Sequence, residues 1–562
     1  MARNVRVAIV QHNPVVGDVA GNAERLADEY TSVCAGDPDF VVTPELSLLG
    51  YPPRDLLHRP GIIDAQAEAL DALAARTTAG PPLVVGTTLQ TSKQTGPPLY
   101  NAAVVLRDGS RAGTYHKRLL PTYDVFDEHR YFEAGDRPTT LTVDGVDVGI
   151  TICEDAWHDT TITGQRRHEV DPLAETAQMG ADLIVTPSAS PFSIDKPTAR
   201  AERFIEHAER TGCPVVFVNQ VGGNDELIFD GNSIVATAEG IVEQLERFGA
   251  DTRLVDVPLD GSGRPTHRPD TPPASQVRQA LRLGVSDYFD KTGFEEAVIG
   301  LSGGIDSSVT AALTVDALGA DAVYGVSLPS HITSQQSVTD ARAVAENLGI
   351  EFDVVPVGPA VDAVSRQLDE HAEPLSGIAA ENIQARIRGD VLMGLANERN
   401  ALVLTPDNKS EAAVGYCTLY GDAVGALAPL GDCYKRVVYE LAAAFNDQSP
   451  SSATASPVIP ETVLEKEPTA ELREDQTDAD ELPSYEHLDP VLEAYIEGTP
   501  GAETLRETYP EEVVDAGVGR VTRSEFKRRQ TPPPLRVTTK ALGRGWNYPI
   551  AAEYGHVTDR DE

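Results

Sequence analysis

Five cysteines in 562 residues (Cys34, Cys153, Cys213, Cys417 and Cys433) form no CxxC pair and no metal-type spacing, which excludes a disulfide framework or a zinc ribbon. An odd count without a framework suits a reducing cytosol. Basic residues are also short: 46 Lys+Arg stand against 87 Asp+Glu, a formal net charge of −41. Such a surface repels nucleic acid and anionic membranes wherever no local basic pocket overrides it. No run approaches the roughly 20 apolar residues of a membrane span, and the opening MARNVRVAIVQHNP has no long apolar stretch. The expectation is a soluble, cytoplasmic protein with neither nucleic-acid nor membrane partners. The acidic residues are dispersed along the whole chain, which predicts adaptation to high intracellular salt; a merely acidic cytosolic protein is the plainer alternative. Loss of folding on dilution into low salt supports the first, and unchanged stability there supports the second.

Aromatics are sparse at 6%, but hydrophobic residues at 41% suffice for globular cores, and the length asks for two or more domains. Over residues 1–256, apolar runs rich in Val and Ile alternate with helical patterns: VRVAIV (5–10), DFVVTPE (39–45), PPLVVGTTL (81–89), NAAVVL (101–106), VDVGITIC (146–153), ADLIVTPSAS (181–190) and PVVFVNQVG (214–222). These predict buried strands of a layered α/β domain. A Pro-, Gly- and polar-rich stretch over 257–276 reads as a linker. A second α/β unit over 277–562 opens with strand, glycine turn and helix in EEAVIGLSGGIDSSVTAALTVDALG (295–319).

That glycine turn, GLSGGIDSS over 300–308, sits where backbone N–H groups and a helix dipole favour an anion. Gly303 and Gly304 allow close approach of a phosphate, the serines supply hydroxyls, and Asp306 is a candidate Mg²⁺ ligand. It is neither a GxxxxGK[ST] nor a GxGxxG loop. In its strand–loop–helix setting it resembles the pyrophosphate loop of N-type ATP pyrophosphatases. The resemblance implies an ATP site over Gly300, Leu301, Ser302, Gly303, Gly304, Ile305, Asp306 and Ser307, and an enzyme that adenylylates its substrate and releases pyrophosphate. Such enzymes often use ammonia, which directs attention to the first half.

There, Cys153 is followed directly by Glu154 and Asp155. Neighbouring negative charge raises a thiol's pKa, so taken alone Cys153 reads as a packed core thiol. Glu45 follows an apolar strand, and Lys117 lies in the polar stretch YHKRLLPTYDVFDEHRYF. A strand-end Glu, a Lys and a Cys in this order resemble the triad of the nitrilase superfamily over most of residues 5–250. That resemblance implies an N-terminal α-β-β-α sandwich, with Glu45 as general base, Lys117 stabilising thiolate and oxyanion, and Cys153 as nucleophile. It also implies a glutamine site of Tyr123, Glu154, Ser190 (with Ser188 as competitor) and Lys196, and Glu128 as a supporting carboxylate. Glu154 is expected to point away from the sulfur because adjacent strand residues face opposite sides.

A nitrilase-type glutaminase followed by an SGGIDSS unit resembles the glutamine-dependent NAD⁺ synthetase family. ENIQARIRG (381–389), TPDNKSE (405–411), the acidic stretch 464–489 and EFKRRQTPPPLRV (525–537) extend the match to nearly the whole chain. The family implies a Rossmann-like parallel sheet in the second domain and amidation of deamido-NAD⁺ with ATP, Mg²⁺ and glutamine. It further implies an ammonia tunnel and a homo-oligomer. Asn382, Glu411 and Lys527 would meet deamido-NAD⁺, Asp306 and Glu411 would hold Mg²⁺, and Arg386, Arg388, Lys409, Arg528 and Arg529 would add positive charge. TPDNKSE departs from the family's TGNKSE-like pattern, which leaves the ATP contact there to Thr405 or the backbone of Pro406. Two rivals are an amidase with a degenerate nucleotide module and a nonenzymatic nucleotide sensor.

Overall fold

The computed structural model describes residues 4–552 apart from 160, 163–164, 267–270, 372–374, 474–475 and 499–500. The chain forms two compact units, Met1–Asp270 and Thr271–Glu562.

In the first unit, Asn4–Gln11 alternates between two environments. Val5, Val7 and Ile9 face one core, while Ala8 and Val10 face another. Successive strand side chains point to opposite faces, so an all-apolar strand must be covered on both. Its six-stranded sheet runs Asp251–Pro258, Asn4–Gln11, Phe40–Val42, Leu83–Gln90, Leu99–Arg107, Ser110–His116. A second six-stranded sheet runs Gly240–Gln244, Ile234–Thr237, Val215–Asn219, Leu183–Ser188, Val146–Ile150, Thr139–Val143. Val7, Phe40 and Val84 of the first share one core with Val148, Val185 and Val216 of the second. The outer face of the first sheet packs on helices Val19–Cys34 and Pro60–Arg76 through Leu26, Tyr30, Leu70 and Leu73. The outer face of the second packs on Pro172–Gln178 and Lys196–Thr211 through Leu173 and Phe204. The layers are therefore α-β-β-α, as expected.

At the middle of the sheets the pairing is parallel, Phe40–Val42 with Asn4–Gln11 and Leu83–Gln90, and Leu183–Ser188 with Val146–Ile150 and Val215–Asn219. Their C-terminal ends deliver Glu45, Cys153 and Ser190. One expectation needs correction. The strand predicted over 146–153 stops at Ile150, and Cys153–Trp157 form a 3₁₀ turn that begins with Cys153 at φ +45°. Asp155 causes the turn by accepting the Ile152 N–H at 2.9 Å. Glu154 thus leaves the sulfur by way of a turn, not by strand alternation.

The second unit is built on a parallel four-stranded sheet ordered Glu351–Val354, Val323–Ser327, Ala297–Gly300, Leu402–Leu404. This Rossmann-like order reverses direction beside Ala297–Gly300, and ligands of such sheets bind outside the strand ends at the switch point. Helix Ile305–Leu318 starts there behind Gly304. Gly303, at φ +76°, presses on the next helix so closely that a Cβ would lie 2.2 Å from the Ser337 carbonyl oxygen. All five cysteines are free, and among the described residues no helix is long and apolar enough to cross a membrane.

Candidate active sites

Lys117 follows strand Ser110–His116 into the interior, where its side chain is 1% exposed. Its Nζ donates to Glu45 Oε1 and to Glu128 Oε1, both at 2.7 Å. Glu45 is fixed further by the Asn101 amide at 2.7 Å and by the Ala189 N–H at 2.9 Å. Tyr51 donates to Glu128 Oε1 at 2.9 Å. One ammonium thus meets two buried carboxylates. Burial, opposed by Lys117, pushes the Glu128 carboxyl up to about 7, which eases the repulsion between the two carboxylates.

Cys153 joins the same cluster. Burial raises its thiol well above the ordinary value, as does Glu45, while Lys117 and the Ala189 N–H pull it down. Burial and carboxylate charge thus favour the thiol over a standing thiolate. Its left-handed backbone at the mouth of a turn is sparsely populated for a residue with a Cβ, a placement common for nucleophiles held out of a strand end.

The acidic neighbours have separate tasks. Glu154 accepts the Tyr123 hydroxyl at 2.8 Å and lies 3.3 Å from His168 Nε2. Asp155 accepts from Tyr115 at 2.7 Å, from the Leu119 N–H at 2.9 Å and from the Arg118 N–H at 3.2 Å, besides Ile152. It ties the Cys153 turn to the segment that carries Lys117. Nothing in the sequence marked Asp155 for this role. Ser190 is buried, and its N–H donates to Asn219 Oδ1 at 2.8 Å. The competing Ser188 hydroxyl is turned back to the Thr186 carbonyl at 3.0 Å. Lys196 opens its helix with Nζ 5.9 Å from the Trp157 ring centroid.

In the second unit a cavity of about 260 Å³ lies at the switch point. Gly300, Leu301, Ser302, Gly304, Ile305, Asp306, Ser307, Thr405, Pro406 and Glu411 line it, as does Arg388. Gly303 supports the loop from behind. Asn408 caps the short helix Lys409–Val414 through the Glu411 N–H and donates to Asp306 Oδ1 at 2.9 Å, which draws the two motif segments together.

Several expected contacts fall elsewhere. Lys409 lies outside the cavity lining; its fully buried ammonium serves Asp432, Glu497, Thr538 and the Lys540 carbonyl at 2.6–3.0 Å. Arg528 is spent on Glu525 and on the Ala413 and Val521 carbonyls, and Arg529 on Glu525 and the Tyr548 carbonyl. These charges hold the C-terminal segment instead of a phosphate. Lys527 donates to the Gly415 and Cys417 carbonyls, both at 2.7 Å, Asn382 accepts from Thr418 at 2.8 Å, and Arg386 donates to the Leu419 carbonyl at 3.2 Å. None of the three lines the cavity.

Three cations line it, Arg388, Lys466 and Lys435, and the last two were not singled out from the sequence. Lys435 is the one that meets the loop. Its Nζ bridges Asp306 Oδ2 at 2.7 Å and Glu411 Oε1 at 2.9 Å. Burial opposes its charge, yet those carboxylates hold its pKa above the ordinary lysine value. A signal existed: Lys435 stands in the first turn of helix Lys435–Asp447, against the helix dipole, where a cation needs an anionic reason to be. Asp407, Asp422 and Asp478 add carboxylates to the lining, and burial raises the pKa of each. Buried oxygens of Asp407 and Asp478 have no hydrogen-bond partner. Carboxylates therefore outnumber cations in the lining even with Arg388, Lys435 and Lys466 in place.

A chain that carries a buried Cys–Glu–Lys cluster in one unit and a nucleotide-type loop in the other fits a two-domain amide-handling class of enzyme. In agreement, residues 6–264 match the carbon-nitrogen hydrolase family and residues 277–531 the NAD synthase family. A glutamine-dependent NAD⁺ synthetase of Synechocystis sp. is 40% identical over 98% of this chain and 99% of its own length. The Aquifex aeolicus protein of that name is 38% identical over 98% of this chain and all of its own. The solved structure of the Acinetobacter baumannii glutamine-dependent NAD⁺ synthetase in complex with ADP, 34% identical, superposes with a TM-score of 0.76, covering 99% of this chain and 100% of that one. The chain belongs to the glutamine-dependent NAD⁺ synthetase family.

Proposed function

We propose that this enzyme makes NAD⁺ from deamido-NAD⁺ and ATP, with nitrogen taken from glutamine, and that it works as a cytoplasmic homo-oligomer, which light scattering checks. The observation that carries the reading is the presence of two chemically different centres on one chain: the buried Cys153–Glu45–Lys117 cluster and the acid-lined cavity at SGGIDSS.

At the first centre, Cys153 Sγ attacks the glutamine side-chain amide carbon while Glu45 takes the thiol proton. Lys117 stabilises the oxyanion that forms. Glu45 returns the proton to the leaving nitrogen, ammonia departs, and a thioester remains. Water then hydrolyses the thioester to glutamate and free thiol. Glu154 and Tyr123 hold the amino-acid head.

At the second centre, a nicotinate carboxylate oxygen attacks the α-phosphorus of ATP, and the bond to the pyrophosphate oxygen breaks. The Gly304 end of helix Ile305–Leu318, with Ser302 and Ser307, receives the phosphates, and Lys435 neutralises their charge. Ammonia attacks the carbonyl of the mixed anhydride and AMP leaves, giving the amide of NAD⁺. Because ammonia becomes ammonium in bulk water, the first centre has to supply it unprotonated. The uncompensated oxygens of Asp407 and Asp478 suit an added cation, and Mg²⁺ generally takes one or two carboxylates plus substrate phosphates. Asp306 and Glu411 would hold Mg²⁺, which when bound supplies charge neutralisation to the departing pyrophosphate.

The test is Cys153→Ala assayed with glutamine and, separately, with ammonium. Glutamine-dependent NAD⁺ formation should fall by about 10⁴-fold or more, while ammonium-dependent formation persists. Loss of both in a folded protein would refute the division of labour.

A further inference from the structure

After the Cys153 turn the chain makes a short hairpin, Thr161–Ile162 paired with Gln165–Arg166, and its exit brings Arg167 and His168 back to the glutaminase centre. His168 meets one oxygen of Glu154 and Tyr123 meets the other. The Arg167 guanidinium lies on the face of the Tyr123 ring, 3.3 Å from its centroid. Arg167 forms no ion pair and no hydrogen bond among the described residues, and its buried Nε is without a partner. In a chain of 87 acidic and 46 basic residues, such a guanidinium is held ready for an anion that comes from solution.

We infer that Arg167 receives the α-carboxylate of glutamine and so selects an amino acid over a simple amide. The substrate's head is a zwitterion, with ammonium and carboxylate on one carbon. Glu154, next to the nucleophile in sequence, presents an anion at the hydroxyl end of Tyr123, and Arg167 presents a cation on that ring's face. The two charges are complementary to the two charges of the head. Arginine matches a carboxylate with two parallel N–H donors, and its stack on Tyr123 fixes the plane of that fork before substrate arrives. Lys196, the other cation expected at this site, is drawn toward the Trp157 ring and has further partners of its own. A primary amide without a carboxylate gains nothing from Arg167.

This inference rests on the glutaminase reading of the first unit, and the experiment separates the two. Ammonia release is measured for the full-length enzyme, Arg167→Met and Arg167→Lys, with glutamine and with γ-aminobutyramide, which is glutamine without its α-carboxylate. For Arg167→Met, kcat/KM on glutamine should fall about 30-fold, chiefly through KM, the size of one lost charge-assisted pair. Its kcat/KM on γ-aminobutyramide should stay within about 2-fold of the unmodified enzyme, and Arg167→Lys should lie between the two on glutamine. Equal losses on both substrates, the mark of a mere prop for Tyr123, overturn the inference, as does an unchanged glutamine KM. If the unmodified enzyme releases no ammonia from glutamine, the glutaminase reading itself fails.

Discussion

The two centres of this chain handle buried charge in opposite ways. Around Cys153, one lysine answers two carboxylates, one of which is lifted to about 7, and Glu45 is hydrogen-bonded on both oxygens. In the SGGIDSS cavity, Lys435 also answers two carboxylates, but Asp407, Asp422 and Asp478 remain beside them and some of their oxygens have no partner. The first centre is close to finished before glutamine arrives, with Glu128 Oε2 left buried and without a hydrogen-bond partner, and its geometry is set in advance. The second is completed by what binds, since the phosphates and their counter-ions are part of its charge balance. What separates the two is the balance of charge: carboxylates outnumber cations in the lining of the second, whose substrates arrive with counter-ions of their own.

The contrast is broken most severely by removing one lysine from each centre. Lys435→Met should lower NAD⁺ synthesis from either nitrogen source by about 10²–10³-fold, leaving glutamine hydrolysis measurable; unequal loss between glutamine and ammonium would show that Lys435 serves the ammonia supply instead. Lys117→Met should abolish hydrolysis and also destabilise the fold by about 3–5 kcal/mol, because Glu45 and Glu128 are left buried without a counter-charge. A melting curve matching that of the unmodified enzyme would contradict the near-finished character of that cluster.

The smallest effect concerns pH. Burial lifts the Glu411 carboxyl from 4.5 to about 7 against the pull of Lys435. Between those values the folded form holds more protons than the unfolded one, so this group's contribution to stability declines as pH rises through that window. In ligand-free enzyme, Glu411→Gln should therefore gain on the parent as pH is raised from about 5 to about 8, by about 1–3 kcal/mol. Denaturant titrations at the two ends of the window give the sign. A difference independent of pH would mean that Glu411 is ionised throughout.

Much of this was readable from local pattern. Both sheets arise from short Val- and Ile-rich runs, and the triad members and the phosphate loop sit at strand ends, where sequence order already places them. The roles that escaped depend on partners remote in sequence. Lys409 looked like a phosphate ligand because its motif faces the cavity, yet its partners lie at 432, 497, 538 and 540, which no local pattern reveals. Lys435 gave one local signal, a cation in the first turn of a helix, but its partners Asp306 and Glu411 lie far off in sequence. Glu154 was rightly separated from the sulfur but for the wrong reason, since the turn there is imposed by Asp155 through side-chain bonds.

Asp155 also has a bearing on how the first centre is held together. The same carboxylate that shapes the turn of the nucleophile accepts N–H groups of Arg118 and Leu119, immediately after Lys117. The spacing between the Cys153 turn and the segment that carries Lys117 is therefore held through one side chain. Asp155 is thus a joint between two stretches of chain, although it belongs to neither the thiol nor the ammonium.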